Sequence, residues 1–458
     1  MSLYTHFLRS LALPVGATIA GYGQVMPYLR GLEASQWWSP EQVRQLQNQK
    51  LRRLIAHVYT NVPFYRDVMD ERGLKPDDIQ TTDDLPLLPI VDKSVINRHY
   101  QDALRDHSLP HDQLIPAASS GSTAERLHYW TTKTQKAKKW AGLFRWWEMA
   151  GYRFGDRYTT FTMAGNRGLR GFPLLDKLEW MMLRHRWLPA QNLAEDVLAA
   201  HARQLAHDRP SMLRSYASTL YYLAAYMNRE ELSVSVPVVM STGEMLTAHM
   251  RETIEHAFRP GRVFDEYGGD GMQIACECDH HTGLHINAES YVIEIVRDGR
   301  RVPAGELGEV VLTNLEATAV PFLRYNIRDV ACLDPTPCPC GRGLPRLGHL
   351  EGRLTDLFLT ADGHWLSAHQ FTGFFASRLP SVRAFQVIQR QVDDVLVRLV
   401  VDESFGQAQR RLIDETFRGF MGPDLRCTLE LVDAIPTTPA GKRRFFISEV
   451  ITGTESEA

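Results

Sequence analysis

The sequence has no run of the roughly 20 apolar residues that a helix needs to cross a bilayer. Its nearest approach, Leu11 to Tyr22, is short and is broken by Pro14, Gly16 and Thr18. One cationic residue, Arg9, precedes it and no convincing cleavage site follows, which argues against a secretory signal. The expectation is a buried or interfacial N-terminal segment of a cytoplasmic protein. Charge excess is also lacking: 51 Lys and Arg against 54 Asp and Glu leave a formal charge of -3, so electrostatics give no reason to expect a nucleic-acid partner. Internal repeats and low-complexity segments are absent, and only the tail from Gly453 reads as disordered. Cysteine is scarce, six in 458 residues, and no two form a Cys-x-x-Cys pair.

What is present is the balance of a globular enzyme, with 44% hydrophobic and 23% charged residues. The length exceeds what one small core organises, so a large domain and a smaller one are expected. Ser39-Pro40-Glu41 starts a helix, with Ser39 as cap and Val43, Leu46, Leu51, Leu54, Ile55 and Val58 as its apolar stripe. Helical spacing recurs from Lys133 to Ala150, Ala194 to Ala206, Ser218 to Asn228 and Ala248 to Phe258. Between them Pro210 to Tyr216, Val234 to Met240 and Val263 to Tyr267 read as strands, and this alternation predicts an α/β core.

Candidate chemistry sits at turns. Ser119, Ser120, Gly121, Ser122 and Thr123 put four hydroxyls around one glycine, a donor-rich turn suited to phosphate oxygens. Taken alone, such a run is more often an ordinary loop. Ser241-Thr242-Gly243-Glu244 and Tyr267-Gly268-Gly269-Asp270-Gly271 each follow a strand, where open α/β sheets bind ligands. Asp329, after the basic segment Arg324 to Arg328, reads on position alone as half of a surface salt bridge. The cysteines cluster with histidines: Cys276 and Cys278 precede His280, His281 and His285, and Cys338 and Cys340 lie about sixty residues on. Without an export signal, thiols near histidines point to zinc rather than to disulfides. A closed structural site of Cys278, one of His280 or His281, Cys338 and Cys340 is the first choice, and a pair of reduced buried cysteines is the alternative.

In chain order these pieces resemble the adenylate-forming enzymes, in the branch of phenylacetate-coenzyme A ligases and CapK-like proteins. The carriers are the Ser119–Thr123 loop, Gly155-Asp156-Arg157, Ser241 to Glu244, Tyr267-Gly268, Cys278 through Ile286, Gly305 to Glu309, Arg324-Tyr325 with Asp329, Gly352-Arg353 and Gly441-Lys442. The resemblance implies a large nucleotide- and acyl-binding domain over residues 1–352, then a hinge at Arg353 and a small mobile α+β domain over 353–458. It implies ATP and Mg²⁺ as cofactors, with phosphates on the hydroxyl loop, adenine on Tyr267 and ribose on Asp329. It also implies that Lys442 neutralises charge at the reacting carboxylate and α-phosphate. Partners would be a small-molecule carboxylate and either coenzyme A or an amine as acceptor, with a homodimer left open. Two departures stand out. Ala124-Glu125-Arg126 replaces the usual Gly and nearby Lys, leaving Arg126 as the local cation, and Asp270 stands where a magnesium-binding Glu is usual. They keep alive a second reading, a catalytically degenerate member of the fold that binds nucleotide or a partner.

Overall fold

The computed structural model describes residues 3–19, 21–119, 126–162, 183–190, 195–353, 357–361, 365–367, 371, 374–375, 378–436 and 444–450. One sheet of twelve strands dominates it, in two halves of different character. Strands β3 (Tyr158–Thr162), β4 (His185–Pro189), β5 (Met212–Tyr216), β6 (Val238–Thr242) and β7 (Arg262–Tyr267) are parallel, in the order β4-β3-β5-β6-β7. Helices Glu195–Asp208, Ala217–Arg229 and Ala248–Ala257 are the crossovers within that half. From β7 the sheet turns antiparallel through β8 (Ala275–Glu277), β9 (Leu284–Ile286), β14 (Arg346–Arg353), β13 (Tyr325–Asp334), β12 (Gly308–Asn314), β10 (Tyr291–Arg297) and β11 (Arg300–Arg301).

Side-chain alternation gives the parallel half two cores. Leu213, Val239 and Val263 point one way, into the crossover helices with Leu220 and Ile254. Met212, Val238, Met240 and Phe264 point the other way, under Leu143, Trp146 and Trp147 of helix Lys133–Met149. That helix is also locked to the antiparallel half by a buried polar network. Arg145, 2% exposed, donates to Glu289 Oε1 at 2.6 Å and to Asn287 Oδ1 at 2.8 Å, and Ser35 Oγ donates to the same Glu289 oxygen at 2.5 Å.

Beyond β14 lies a separate four-stranded sheet, ordered β19 (Arg426–Leu431), β18 (Asp394–Val401), β17 (Val382–Gln391), β20 (Phe446–Ser448). Helix Gln407–Met421 covers it through Ile413, Phe417 and Met421, and Phe371, Phe375, Phe385 and Phe446 complete its own core. The architecture is thus mixed α/β with a distinct C-terminal α+β unit. Among the described residues no helix is long and apolar enough to cross a membrane.

Local sequence rules act as expected where they are strong. Ser39 accepts from Gln42 N–H in a capping box with Pro40 at the first turn, and the helix runs Pro40–Asn61. The strand expected over Val234 to Met240 begins only at Val238, because Val234 and Val236 pack into the core ahead of Pro237, which has no N–H for a ladder. Of the buried and interfacial readings of the N-terminal segment, the buried one is overturned. Residues 3–19 are helical, and although Leu8 is buried, Phe7, Leu11, Val15 and Ile19 are 47%, 54%, 49% and 83% exposed.

Replacing Arg145 by Met leaves the Glu289 carboxylate buried without its cation. The expected loss is about 3–5 kcal/mol of unfolding free energy, read from urea denaturation of the variant beside the parent protein.

Candidate functional site

The loop after β7 is drawn tight by glycines that no other residue replaces without movement. Gly271 has φ +82, and a Cβ there would lie 2.2 Å from the Tyr129 hydroxyl; at Gly268 it would lie 2.5 Å from the Met272 carbonyl oxygen. Between them Asp270 adopts a left-handed φ of 49°, which turns its carboxylate inward. Asp270 Oδ2 accepts from Tyr325 Oη at 2.7 Å, and Oδ1 sits 3.3 Å from Lys93 Nζ. Burial, then the Asp270 charge, pushes the Tyr129 hydroxyl up to about 12, so this ring stays protonated beside the loop.

At the head of the loop the Tyr267 hydroxyl donates to Asp329 Oδ2 at 2.7 Å, with both residues under a tenth exposed. Two residues singled out separately in the sequence therefore meet, and Asp329 is buried rather than at the surface. In the sheet order β7 and β13 are separated by β8, β9 and β14, four strand spacings or about 19 Å in a flat sheet. A direct hydrogen bond across that interval requires the sheet to curl back on itself at the end of β7. Arg353 is the register partner of Asp329 on β14.

The remaining candidates are placed as follows. Ser241, next to last in β6, is fully buried, Gly243 takes φ +73 at the turn, and Glu244 Oε2 accepts from Ser218 N–H at 2.8 Å. β1 (Ile115–Ala118) and β2 (His128–Thr131) form the antiparallel stem below the hydroxyl loop. Ser119 belongs to that stem: its N–H donates to the Leu127 carbonyl at 2.8 Å, and its Oγ accepts Leu127 N–H at 3.0 Å. Arg126 is exposed where the same stem meets the loop. Ser120, Gly121, Ser122, Thr123 and Lys442 lie outside the described residues.

The Cys/His cluster forms, with one ligand revised. Donor atoms of Cys278, His285, Cys338 and Cys340 all lie within 4.8 Å of one another. Cys278 Sγ is 3.6 Å from Cys338 Sγ, Cys340 Sγ is 3.3 Å from His285 Nε2, and all six cysteines are free thiols. Neither His280 nor His281 takes part: His280 is exposed, and the His281 ring turns back to Glu277 Oε2 at 3.1 Å, alongside Arg251. His285 wins because β9 pairs with β14, bringing it beside Arg346 and the cysteine loop.

Sequence reasoning missed two further sets. Lys93 is one of them, since nothing local in the sequence links it to Asp270. On the face of the sheet under helix Lys133–Met149, Arg214 of β5 pairs with Glu266 Oε2 of β7 at 2.6 Å, and Trp147 Nε1 donates to Glu266 Oε1 at 3.1 Å. This charged chain lies beside the strand-end loops and was hidden among residues read as strand and core.

Comparison with known proteins fits this geometry. Residues 358–449 match the family model of the CapK C-terminal domain. A phenylacetate-coenzyme A ligase of Thermus thermophilus is 27% identical over 444 residues, covering 88% of this chain and 96% of that protein. Protein CapK of Staphylococcus aureus is 24% identical over 415 residues, covering 89% of each. Among solved structures, 2-hydroxyisobutyryl-CoA ligase in its postadenylation state, in complex with R3-HIB-AMP, aligns with a TM-score of 0.69 over 89% of this chain and 90% of that one, at 20% identity. The two chains share a fold.

Proposed function

We propose that this chain, a homologue of phenylacetate-coenzyme A ligases and of CapK, is an AMP-forming ligase that activates a small-molecule carboxylate with ATP and passes the acyl group to coenzyme A or an amine. The observation that carries this reading is the Tyr267–Asp329 contact, which puts an aromatic ring and a carboxylate together at the end of β7. On this reading adenine lies on the Tyr267 ring, and Asp329 accepts from the ribose hydroxyls. The Ser120–Thr123 hydroxyls and backbone donors surround the distal phosphates. A substrate carboxylate oxygen attacks the α-phosphorus, the bond from that phosphorus to the bridging oxygen breaks, and pyrophosphate leaves with the electron pair. The acceptor then attacks the acyl carbonyl and AMP departs. Such chemistry is chiefly positioning and charge neutralisation.

Magnesium ordinarily accompanies the triphosphate, but Asp270 does not fit as its ligand, because its two oxygens already serve Tyr325 and Lys93. No step is assigned to the ion through that residue. We read Asp270 instead as the anchor that ties the Tyr267 loop to β13 and to the helix beginning at Lys93. The same neutralised carboxylate is what favours the second reading, a nucleotide- or partner-binding member of the fold without adenylating activity. The domain boundary is proposed at Arg353, where the large sheet ends, and a biosynthetic setting in polysaccharide or specialised metabolism rests on the resemblance to CapK alone.

The cysteine cluster fits zinc. A tetrahedral ion about 2.3 Å from each thiolate separates two sulfurs by about 3.8 Å, close to the 3.6 Å between Cys278 and Cys338. Four protein donors close the site, so the ion would hold β8, β9 and the Cys338–Cys340 loop together and leave no place for reacting water. Elemental analysis should find about one zinc per chain, and Cys340→Ser should lower thermal stability while ATP affinity holds. Protein carefully prepared yet free of zinc would refute the assignment.

The enzyme reading is tested by carboxylate-dependent ATP–pyrophosphate exchange over aromatic, aliphatic and amino-acid substrates. Wild type should exchange with at least one acid. Lys442→Ala should slow exchange by at least about 10²-fold, the scale of one lost transition-state electrostatic contact, with ATP affinity nearly unchanged. Equal rates in the two proteins would make Lys442 a bystander, and no exchange by wild type with any acid would favour the degenerate reading.

A further inference from the structure

The recess between helix Lys133–Met149 and the carboxyl ends of β5, β6 and β7 carries more positive charge than a pocket for an apolar acyl group needs. Strand alternation puts Arg214, Tyr216, Thr242 and Glu266 on the face that this helix covers, since Met212, Met240 and Phe264 on that face pack beneath it. The direction of the helix follows from two contacts. A Cβ on Gly151, just past its end, would touch Val238 Cγ2 at the start of β6, whereas Trp147 bonds Glu266, level with Thr242 at the end of β6. Running back from Trp147 therefore leads past the strand ends. Lys139 lies eight residues back, about 12 Å along the axis, and Lys136 one turn further. At helical spacing both fall on the stripe of Leu143, Trp146 and Trp147, the face turned to the sheet.

Their charges are not balanced locally. Among the described residues Glu266 faces the recess with its two oxygens taken by Arg214 and Trp147, and Glu244, beside Tyr216, accepts from Ser218 N–H. Among the described residues neither Lys136 nor Lys139 has an ion-pair or hydrogen-bond partner for its ammonium group, whereas Lys138, on the next face of the same helix, pairs with Glu316. The Lys139 side chain is open to water, yet desolvation, then Arg214 and Lys136, draws its pKa down to about 8. Among the described residues no carboxylate pairs with the ammonium group of either lysine beside Arg214, and a ligand is a natural source of that counter-charge.

We propose that this recess is the distal end of the acyl site and selects an acid that carries a second anionic group, which Lys139 and Lys136 bind while the reacting carboxylate faces the Tyr267 loop. Arg214, held by Glu266, lines the floor between the two ends. The assignment rests on the ligase reading and narrows its substrate class.

The test is ATP–pyrophosphate exchange with acids matched except for the distal group: phenylacetate against 4-carboxyphenylacetate, and hexanoate against adipate. The diacid of at least one pair should be preferred. Lys139→Met should cut kcat/KM for that diacid by about 10- to 100-fold, the scale of a lost charge-assisted bond, and leave the monoacid nearly unchanged. Lys139→Arg should restore part of the loss, and Lys136→Met, a second and independent variant, should act in the same direction. Preference for the monoacids, unaltered by Lys139→Met, overturns the assignment while leaving the ligase reading intact. A uniform loss with every acid and a raised KM for ATP would give the cations to the nucleotide and also overturns it. No exchange with any acid overturns the ligase reading itself, and this assignment with it.

Discussion

The hydrogen bond between Tyr267 and Asp329 is the constraint on which the site depends. It joins the last parallel strand to a strand of the antiparallel half across three intervening strands, so it exists only because the sheet curls. The Asp270 contacts to Tyr325 and Lys93 are a second tie across the same gap, and the positive φ at Asp270 and Gly271 lets the loop make both. Each glycine in this stretch is explained by what a Cβ would strike. The site is therefore assembled by long-range closure and not by any one loop.

A second set of ties holds the covering elements in place. The buried Arg145–Glu289 pair fixes helix Lys133–Met149 against the loop between β9 and β10. The Cys278, His285, Cys338 and Cys340 cluster gathers the β8–β9 hairpin and the loop before β14. That loop also grips the N-terminal region: Arg342 stacks over the Trp37 ring at 4.6 Å and donates to Gln36 Oε1 at 2.9 Å. A staple in the cluster would thus steady the antiparallel half at β8 and β9, each only three residues long.

The sequence makes the parallel half largely legible, because its strands and crossover helices carry periodic apolar patterns within ten or fifteen residues. Ser39, Pro40 and the helix stripes express local rules, and the structure follows them. Strand-end loops such as Tyr267 to Gly271 are legible for the same reason, since a strand followed by glycines announces a turn. The antiparallel half is not, because its order, β9 beside β14 and β13 between β14 and β12, is set by pairings up to sixty residues apart. That is why His285 was passed over for the neighbouring His280 and His281, why Lys93 was not singled out, and why Asp329 looked superficial. Spacing in the chain indicates which chemistry is available; the closure of the sheet decides which atoms share it.

The account's central claim is that the Tyr267–Asp329 site holds the nucleoside of ATP. Calorimetric titration of ATP into the intact protein and into Asp329→Ala measures it directly, with unfolding midpoints recorded on both to confirm that the variant is folded. Loss of the charge-assisted ribose bonds should weaken binding by about 1–3 kcal/mol, roughly 5- to 150-fold in Kd. A folded Asp329→Ala protein that binds ATP as tightly as the parent would contradict the claim.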